Sequence, residues 1–318
     1  MNVGIISFSS VCQRKFLPAL LLNDNVQNIT IASSSNPDLN KSSKKIKFVS
    51  YEDFFNGNYD WVYVSSIPSK NFEFSKMCLL KGWHVLCEKP SFLHGNNYND
   101  IIEIANTRKL LFIENYTHSL HPRYSLFKEI LKNQQSEIKY VDFKFFYPGP
   151  NDFKNFRYHK SMGGGVQFDS LGYLVDTLIY LSVIDRPFKY TIFHSYENNC
   201  INFINISSKL RDQFISLSTG INFQYDASIS LSGNNWKISL ERAFALDKNQ
   251  TSEIVIQNGF SETKQLVDSS DQFNNMINLF IDIIKSKDDV KFGLFSHYLN
   301  LYNVRSSILN DIYNKLYL

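Results

Sequence analysis

The sequence predicts an α/β protein in two parts. Residues 1–118 form an N-terminal domain on a parallel sheet, and residues 119–318 form a C-terminal α+β domain with a large, mostly antiparallel open sheet. Three observations predict it. Up to about residue 120, short apolar runs alternate with stretches whose apolar residues recur at helical spacing, as in βαβ units. Beyond that point half-alternating apolar runs follow one another with no helix between them, the pattern of antiparallel strands. The chain has 318 residues, 43% of them apolar and 20% charged, which is an ordinary globular composition with material for two cores.

The elements follow in order. NVGIIS is a short buried strand, and VCQRKFLPALLL behind it carries apolar residues at helical spacing. NITIAS (Asn28 to Ser33) and IKFVS (Ile46 to Ser50) read as strands, YEDFF as a short helix, and WVYVSS (Trp61 to Ser66) as a strand. NFEFSKMCLLKG (Asn71 to Gly82) is a helix ended by glycine in the favoured C-terminal place. HVLCEK is a strand, YNDIIEIANTRK a helix and LLFIEN a strand. In the second part KYVDFKFFY, CINFINIS, QFISLSTGINF, DASISLSGNNWKISLERAF and SEIVIQ read as strands, with Gly233-Asn234-Asn235 as a hairpin turn. DQFNNMINLFIDIIK presents Phe273, Met276, Ile277, Phe280 and Ile284 on one helix face, and a final helix is expected from near Ser296 to Leu316.

Composition excludes several function classes. A net charge of +3 is too small to imply a nucleic-acid partner, and the lysines of NKSSKKIK read as a solvated loop. Cys12, Cys78, Cys87 and Cys200 lack CxxC spacing and sit mostly in apolar surroundings, which suits free thiols in a reducing cytoplasm. The opening has no basic start before its apolar run, and no run approaches eighteen apolar residues, so neither a secretory signal nor a membrane span is expected. His118, His121 and His159 have no supporting carboxylate cluster, so no metal is expected.

Ligands of a parallel sheet bind outside the carboxyl ends of its strands. Those ends are Ser7 to Ser10, Ser33 to Ser35, Ser65 to Pro68 and Glu88 to Pro90. The first is a strand–turn–helix junction, as a dinucleotide site requires, but Ser7, Ser9 and Cys12 stand where GxGxxG would have glycine. A serine hydroxyl can itself donate to a phosphate oxygen, and the helix N-terminus behind it still favours an anion.

Three stretches, in order and at matching spacing, resemble the Gfo/Idh/MocA family of nicotinamide-dependent oxidoreductases. They are FLPAL in the opening, KGWHVLCEKP (Lys81 to Pro90) and NFRYHKSMGGGVQFDSLGYLVD (Asn155 to Asp176). The resemblance spans both parts and implies a Rossmann first domain. It is similar to a sugar ketoreductase branch that already has serine at the second glycine position, so only Ser7 departs from that branch. It implies cofactor contacts from Ser7, Ser9, Ser10, Val11, Ser33, Ser34, Ser65, Pro68, Glu88, Lys89 and Asn115. An NAD site wants an acidic residue at the end of the second strand. Here stand Ser33, Ser34 and Ser35, followed by Lys41, Lys44 and Lys45, so NADP(H) is favoured, with NAD the alternative.

Lys89 precedes Pro90, which keeps its backbone out of the helical region. The resemblance makes it the active-site lysine that polarises the reacting carbonyl or hydroxyl. It makes Tyr173, four residues after Asp169, the acid/base residue and Asp169 its catalytic companion. A tyrosine of ordinary pKa, about 10, needs a neighbouring cation such as Lys89 to work near neutrality. Asp169, Tyr173 and Asp176 recur at near-helical intervals, so a shared helix face is expected. The family glycine two after the aspartate is Leu171 here, with Gly172 next. Arg157 and His159, with Asp169 and Tyr173, are the substrate-side candidates, and Gly163 to Gly165 are expected to leave that loop unencumbered.

The function so implied is hydride transfer to or from a sugar or sugar-nucleotide carbonyl or hydroxyl. A polyol or dihydrodiol dehydrogenase is a second enzymatic reading, and a cofactor-free binding protein that keeps the fold is a third. Joint retention of Lys89, Asp169 and Tyr173 argues against the last. A homodimer or homotetramer is expected through the open sheet, whose strands carry Ile, Phe and Leu at alternating positions.

Overall fold

The computed structural model describes residues 1–33, 46–134 and 136–317. Among these, contacts divide the chain into two units: Met1–Asn115 with Phe273–Ser306, and Tyr116–Gln272 with Ser307–Leu318. The expected division at 118/119 left the second part continuous to the end of the chain. The structure instead returns 273–306 to the first unit.

The first unit is a six-stranded parallel sheet in the order β3-β2-β1-β4-β5-β6. Strand β1 (Asn2–Ile6) runs through a turn into a π-helical turn, Cys12–Phe16, and then α1 (Leu17–Leu21). Pro18 has no N–H to give and crowds the carbonyl four residues back, and the widened turn before it accommodates both. Next come β2 (Asn28–Ala32), β3 (Ile46–Val49), α2 (Tyr51–Phe55) and β4 (Trp61–Val64). Ser50 caps α2 by accepting from Asp53 N–H at 3.0 Å. Then α3 (Pro68–Leu80), β5 (His84–Cys87), α4 (Asn97–Arg108) and β6 (Phe112–Glu114) complete the alternation. Proline opens α3, and Gly82 beyond its end takes φ +86°.

The second unit begins with α5 (Pro122–Lys132) and β7 (Tyr140–Tyr147), followed by α6 (Val166–Asp169) and α7 (Leu171–Tyr180). Strands β8 (Thr191–Glu197), β9 (Cys200–Leu210), β10 (Gln213–Ile221), β11 (Asp226–Ser232), β12 (Trp236–Leu240), β13 (Ser252–Asn258) and β14 (Ser261–Val267) follow. They form an eight-stranded sheet in the order β14-β13-β12-β11-β7-β10-β9-β8, antiparallel except between β7 and β10. One face buries Val141, Phe143, Ile204, Ile206, Ile215, Leu217, Ile229 and Leu231. The opposite face carries Asn205, Ser207, Ser216 and Ser218, joined by hydrogen bonds such as Asn205 Nδ2 to Ser218 Oγ at 2.8 Å. The aliphatic residues expected on the open face therefore point inward, because the alternation of each strand sends them to the core.

Two helices close the chain. The apolar stripe of α8 (Gln272–Lys285) buries Met276, Ile277, Phe280, Ile281 and Ile283, with Phe280 against Trp61 of β4 at 5.1 Å between rings. This burial ties 273–306 to the first unit. The last helix, α9 (Asp288–Tyr317), starts two turns before the expected Ser296 and has Asp288 and Asp289 in its first turn, where the helix dipole favours them. Arg305 of α9 donates from Nε (2.9 Å) and Nη2 (2.8 Å) to Glu114 Oε2. Tyr302 shares a hydrogen bond with Ser91. Among the described residues no helix is long and apolar enough to cross a membrane, and no group of histidine, cysteine and carboxylate side chains could hold a metal.

Candidate active site

In the first unit the candidates gather at the carboxyl ends of β1, β2, β4, β5 and β6. The strand order reverses between β1 and β4, the switch point where parallel sheets open a crevice. Ser7 adopts φ +69°, the left-handed region where glycine is at home and a side chain is strained. Its N–H donates to Ala32 O (2.9 Å), and its hydroxyl pairs with Tyr51 OH (2.8 Å). Ser9 shares a hydrogen bond with Ser65 Oγ and accepts from Cys12 N–H at 3.2 Å. Both turn serines are thus committed to protein partners, a use of the hydroxyls different from the expected donation to phosphate. The helix opens at Ser10 and Val11, whose first-turn N–H groups have no carbonyl four residues back within it, so the end remains suited to an anion. Ser33 N–H donates to Val49 O at 3.4 Å. Ser34, Ser35, Lys41, Lys44 and Lys45 lie outside the described residues.

Pro68 is buried at the start of α3. Tyr63 OH (2.5 Å) and Asn115 Nδ2 (2.6 Å) both donate to Glu88 Oε1. Burial raises the Glu88 carboxyl above the usual range, opposed by these two donors and by the Lys89 charge. Asn71 Nδ2 donates to the carbonyls of Glu88 (3.0 Å) and Pro90 (2.9 Å), clamping the backbone on both sides of Lys89. Glu88 and Asn115 therefore hold the strand end that presents Lys89.

In the second unit Asp169 ends α6, and Ser170 (φ −123°, ψ −25°) breaks the helix before α7. Tyr173 and Asp176 share α7, but Asp169 is not on it, so the single helix face expected for all three is not formed. Asp169 is instead held by Arg157, Nε to Oδ2 at 2.6 Å and Nη2 to Oδ1 at 3.4 Å, and by Tyr147 OH at 2.6 Å. The Asp169 charge raises the Arg157 guanidinium pKa, and Arg157 also interacts electrostatically with Tyr173. Burial, then Asp169, pushes the Tyr147 phenol well above its ordinary value. Tyr173 lies among the rings of Tyr116, His118, Phe145 and Phe244, with centroids 5.1–5.8 Å away. His118 Nε2 is 3.1 Å from Thr177 Oγ1 and 3.6 Å from Asp176 Oδ2. His159 Nε2 lies 3.0 Å from Phe153 O, within its own loop.

Two glycines are explained by close approach. A Cβ on Gly172 would lie 1.9 Å from Tyr116 OH, so the shifted family glycine makes room for that phenol. A Cβ on Gly164 would lie 2.6–2.8 Å from the backbones of Phe156, Arg157 and His159. Rather than leaving the loop unencumbered, Gly164 lets it press onto the turn that carries Arg157.

Residues 1–116 match the model of the Gfo/Idh/MocA oxidoreductase family, an NAD-binding Rossmann fold. The similarity to this family covers the first unit's parallel-sheet portion of the chain. A relative along nearly the whole length is the dTDP-3,4-didehydro-2,6-dideoxy-alpha-D-glucose 3-reductase of Streptomyces antibioticus, 21% identical over 293 residues, 88% of each chain. Among solved structures, KijD10, a 3-ketoreductase from Actinomadura kijaniata in complex with NADP and TDP-benzene, superposes with TM-score 0.84 at 20% identity, covering 97% of this chain and 96% of that one. An aldose-aldose oxidoreductase from Caulobacter crescentus gives TM-score 0.75 at 15% identity, covering 96% and 97%.

The sequence singles out Ser7, Lys89, Arg157, Asp169 and Tyr173 but not the residues that surround them. Tyr51, Tyr147, Tyr116 and His118 were not singled out as partners of the site. Each lies in a stretch whose local pattern only says strand, turn or helix start. The one available signal, the density of tyrosine, does not say which of eighteen faces a site.

Proposed function

We propose that this oxidoreductase is an NADP(H)-dependent reductase of a keto group on a sugar carried by a nucleotide. The observation that carries the reading is the setting of Tyr173. Its phenol is fixed among four aromatic rings beside Arg157, a cation that Asp169 and Tyr147 hold in place. The relatives that match most of the chain and carry keto-sugar reductase names support the substrate class.

Reduction of a carbonyl delivers a hydride to carbon and a proton to oxygen. A bound nicotinamide dinucleotide supplies the hydride. The turn of Ser7 to Val11, with Ser33, Ser65, Pro68 and Asn115 at the neighbouring strand ends, fits such a group: it ends on a helix N-terminus and has a hydroxyl, not a carboxylate, at Ser33. Tyr173 gives the proton to the carbonyl oxygen, and Lys89, fixed through Glu88 and Asn71, polarises that oxygen. Asp169 acts by orienting Arg157, since its oxygens are already taken by two donors. Arg157 and His159 border the substrate side. The buried thiols Cys12, Cys78, Cys87 and Cys200 suit a reducing cytoplasm.

The test is a fluorescence titration with NADPH and NADH, then turnover on keto-sugar nucleotides, free keto-sugars, polyols and dihydrodiols followed by NADPH absorbance. NADPH is expected to bind more tightly and the keto-sugar nucleotides to be reduced. Equal affinity or preference for NADH overturns the cofactor assignment. Turnover confined to polyols or dihydrodiols overturns the substrate class. A chain that binds neither dinucleotide is a binding protein on the same fold.

A further inference from the structure

We infer that Tyr51 is a positioning residue for the dinucleotide turn: it acts through Ser7 and is what allows serine to stand in the place of the first turn glycine. The inference rests on the dinucleotide-binding reading above. Ser7 holds φ +69°, so its Cβ and hydroxyl project from a backbone shape that glycine adopts without either. Its N–H is already committed to Ala32 O, which leaves the side-chain torsion as the one adjustable feature. Of the staggered positions open to the hydroxyl, the structure selects the one that meets Tyr51 OH at 2.8 Å.

Tyr51 is itself well placed to impose that choice. It is the first residue of α2, which follows β3 in the chain. Its ring stacks on Phe74 of α3, with centroids 5.7 Å apart and planes within 7°. The hydroxyl of Ser7 is therefore held on Tyr51 at the start of α2, while the helix N-terminus at Ser10 and Val11 is left to meet an anion. Without the phenol oxygen, Ser7 gains rotamers that put its hydroxyl into the space a glycine would leave open to the pyrophosphate. Two hydroxyls sharing one hydrogen bond also retain one proton between them to donate outward.

The consequence is a coupling that an ordinary structural hydrogen bond would not produce. Dinucleotide affinity should depend on the Tyr51 hydroxyl only while residue 7 carries a hydroxyl. NADPH dissociation constants are measured by fluorescence titration for the parent, Tyr51→Phe, Ser7→Gly and the double variant, with the unfolding midpoint of each apoprotein recorded. Tyr51→Phe is expected to weaken binding about tenfold. Ser7→Gly sets its own reference affinity, and adding Tyr51→Phe to it should change nothing. Should Ser7→Gly fail to fold, Ser7→Ala serves as the background, since it keeps the Cβ and removes the hydroxyl. A Tyr51→Phe affinity within twofold of the parent, or the same loss in both backgrounds, overturns the inference while leaving the dinucleotide reading intact. A parent that binds neither NADPH nor NADH overturns both.

Discussion

At Tyr173 one hydroxyl separates a packing residue from a proton donor. The ring has four aromatic neighbours, so Tyr173→Phe keeps nearly all its contact area, and a packing role predicts the loss of about 1 kcal/mol for one hydrogen bond. A proton donor predicts a rate loss of roughly 10²–10⁴-fold with little change in stability. Lys89→Met is expected to bind NADPH and to lose turnover, and the double variant should be little worse than either single one, because groups that act as a unit do not add. Full turnover by Tyr173→Phe on a substrate the parent accepts removes Tyr173 from the mechanism. Both residues are candidates because a motif fixes each within a few positions: Lys89 before Pro90, Tyr173 four after Asp169. The partner of Ser7 was not readable, since Tyr51 lies 44 residues away. Nor was the capture of Asp169 by Tyr147, 22 residues before it on β7. Such pairings follow from strand order, which local pattern does not encode.

At the scale of elements, two histidines pin ends together, His84 half-buried and His121 buried. His84, opening β5, accepts from Leu111 N–H through Nδ1 at 2.9 Å just before β6. His121 caps α5 by accepting from Arg123 N–H at 3.3 Å. Burial pushes each down from about 6.5 to about 4, helped at His84 by Lys291 and at His121 by Arg123. The unfolded chain therefore binds more protons than the folded one between about pH 4 and 6.5, so stability rises with pH across that window and is lost on acidification. Each histidine adds at most about 1.4 kcal/mol per pH unit, less where solvent reaches the ring. Urea unfolding at pH 7, 6 and 5 is expected to show a falling midpoint, and His84→Gln should flatten the fall. A midpoint that stays level or rises on acidification contradicts the assignment. The strands that His84 joins were legible because buried strands leave a pattern, whereas α5, which His121 caps, was not named from the sequence. Strands β8 and β14, the sheet's two edges, were not, since β8 is largely exposed and β14 buries little beyond Val267. A strand with little to bury has little alternation to read. The early start of α9 escaped for the same reason, its first two turns being mostly exposed.

For the whole molecule, the open face of the eight-stranded sheet decides whether the chain works alone. Its centre is the Asn205, Ser207, Ser216 and Ser218 ladder, and around that ladder stand aromatic rings. Phe146 and Phe203 stack with centroids 6.2 Å apart and planes within 4°, and Phe223 packs on both. Phe214 and Phe193, 52% and 58% exposed, extend the same face, as their pairings with Lys209 and Asn205 require. Of the Ile, Phe and Leu expected here the aliphatic residues are turned inward and the phenylalanines remain, and aromatic anchors around a polar, hydratable centre are what a specific interface uses. We therefore predict a homodimer or homotetramer through this face. A twofold interface uses each residue twice, so Phe203→Glu introduces two charges into the desolvated ring cluster at once, while in the free chain the half-buried position can turn its carboxylate to water. Light scattering at micromolar concentration is expected to give two or four times the chain mass for the parent and one chain mass for Phe203→Glu, with both still binding NADPH in the other unit. A monomeric parent removes the interface, and a Phe203→Glu variant that keeps the parent's mass moves it to another surface.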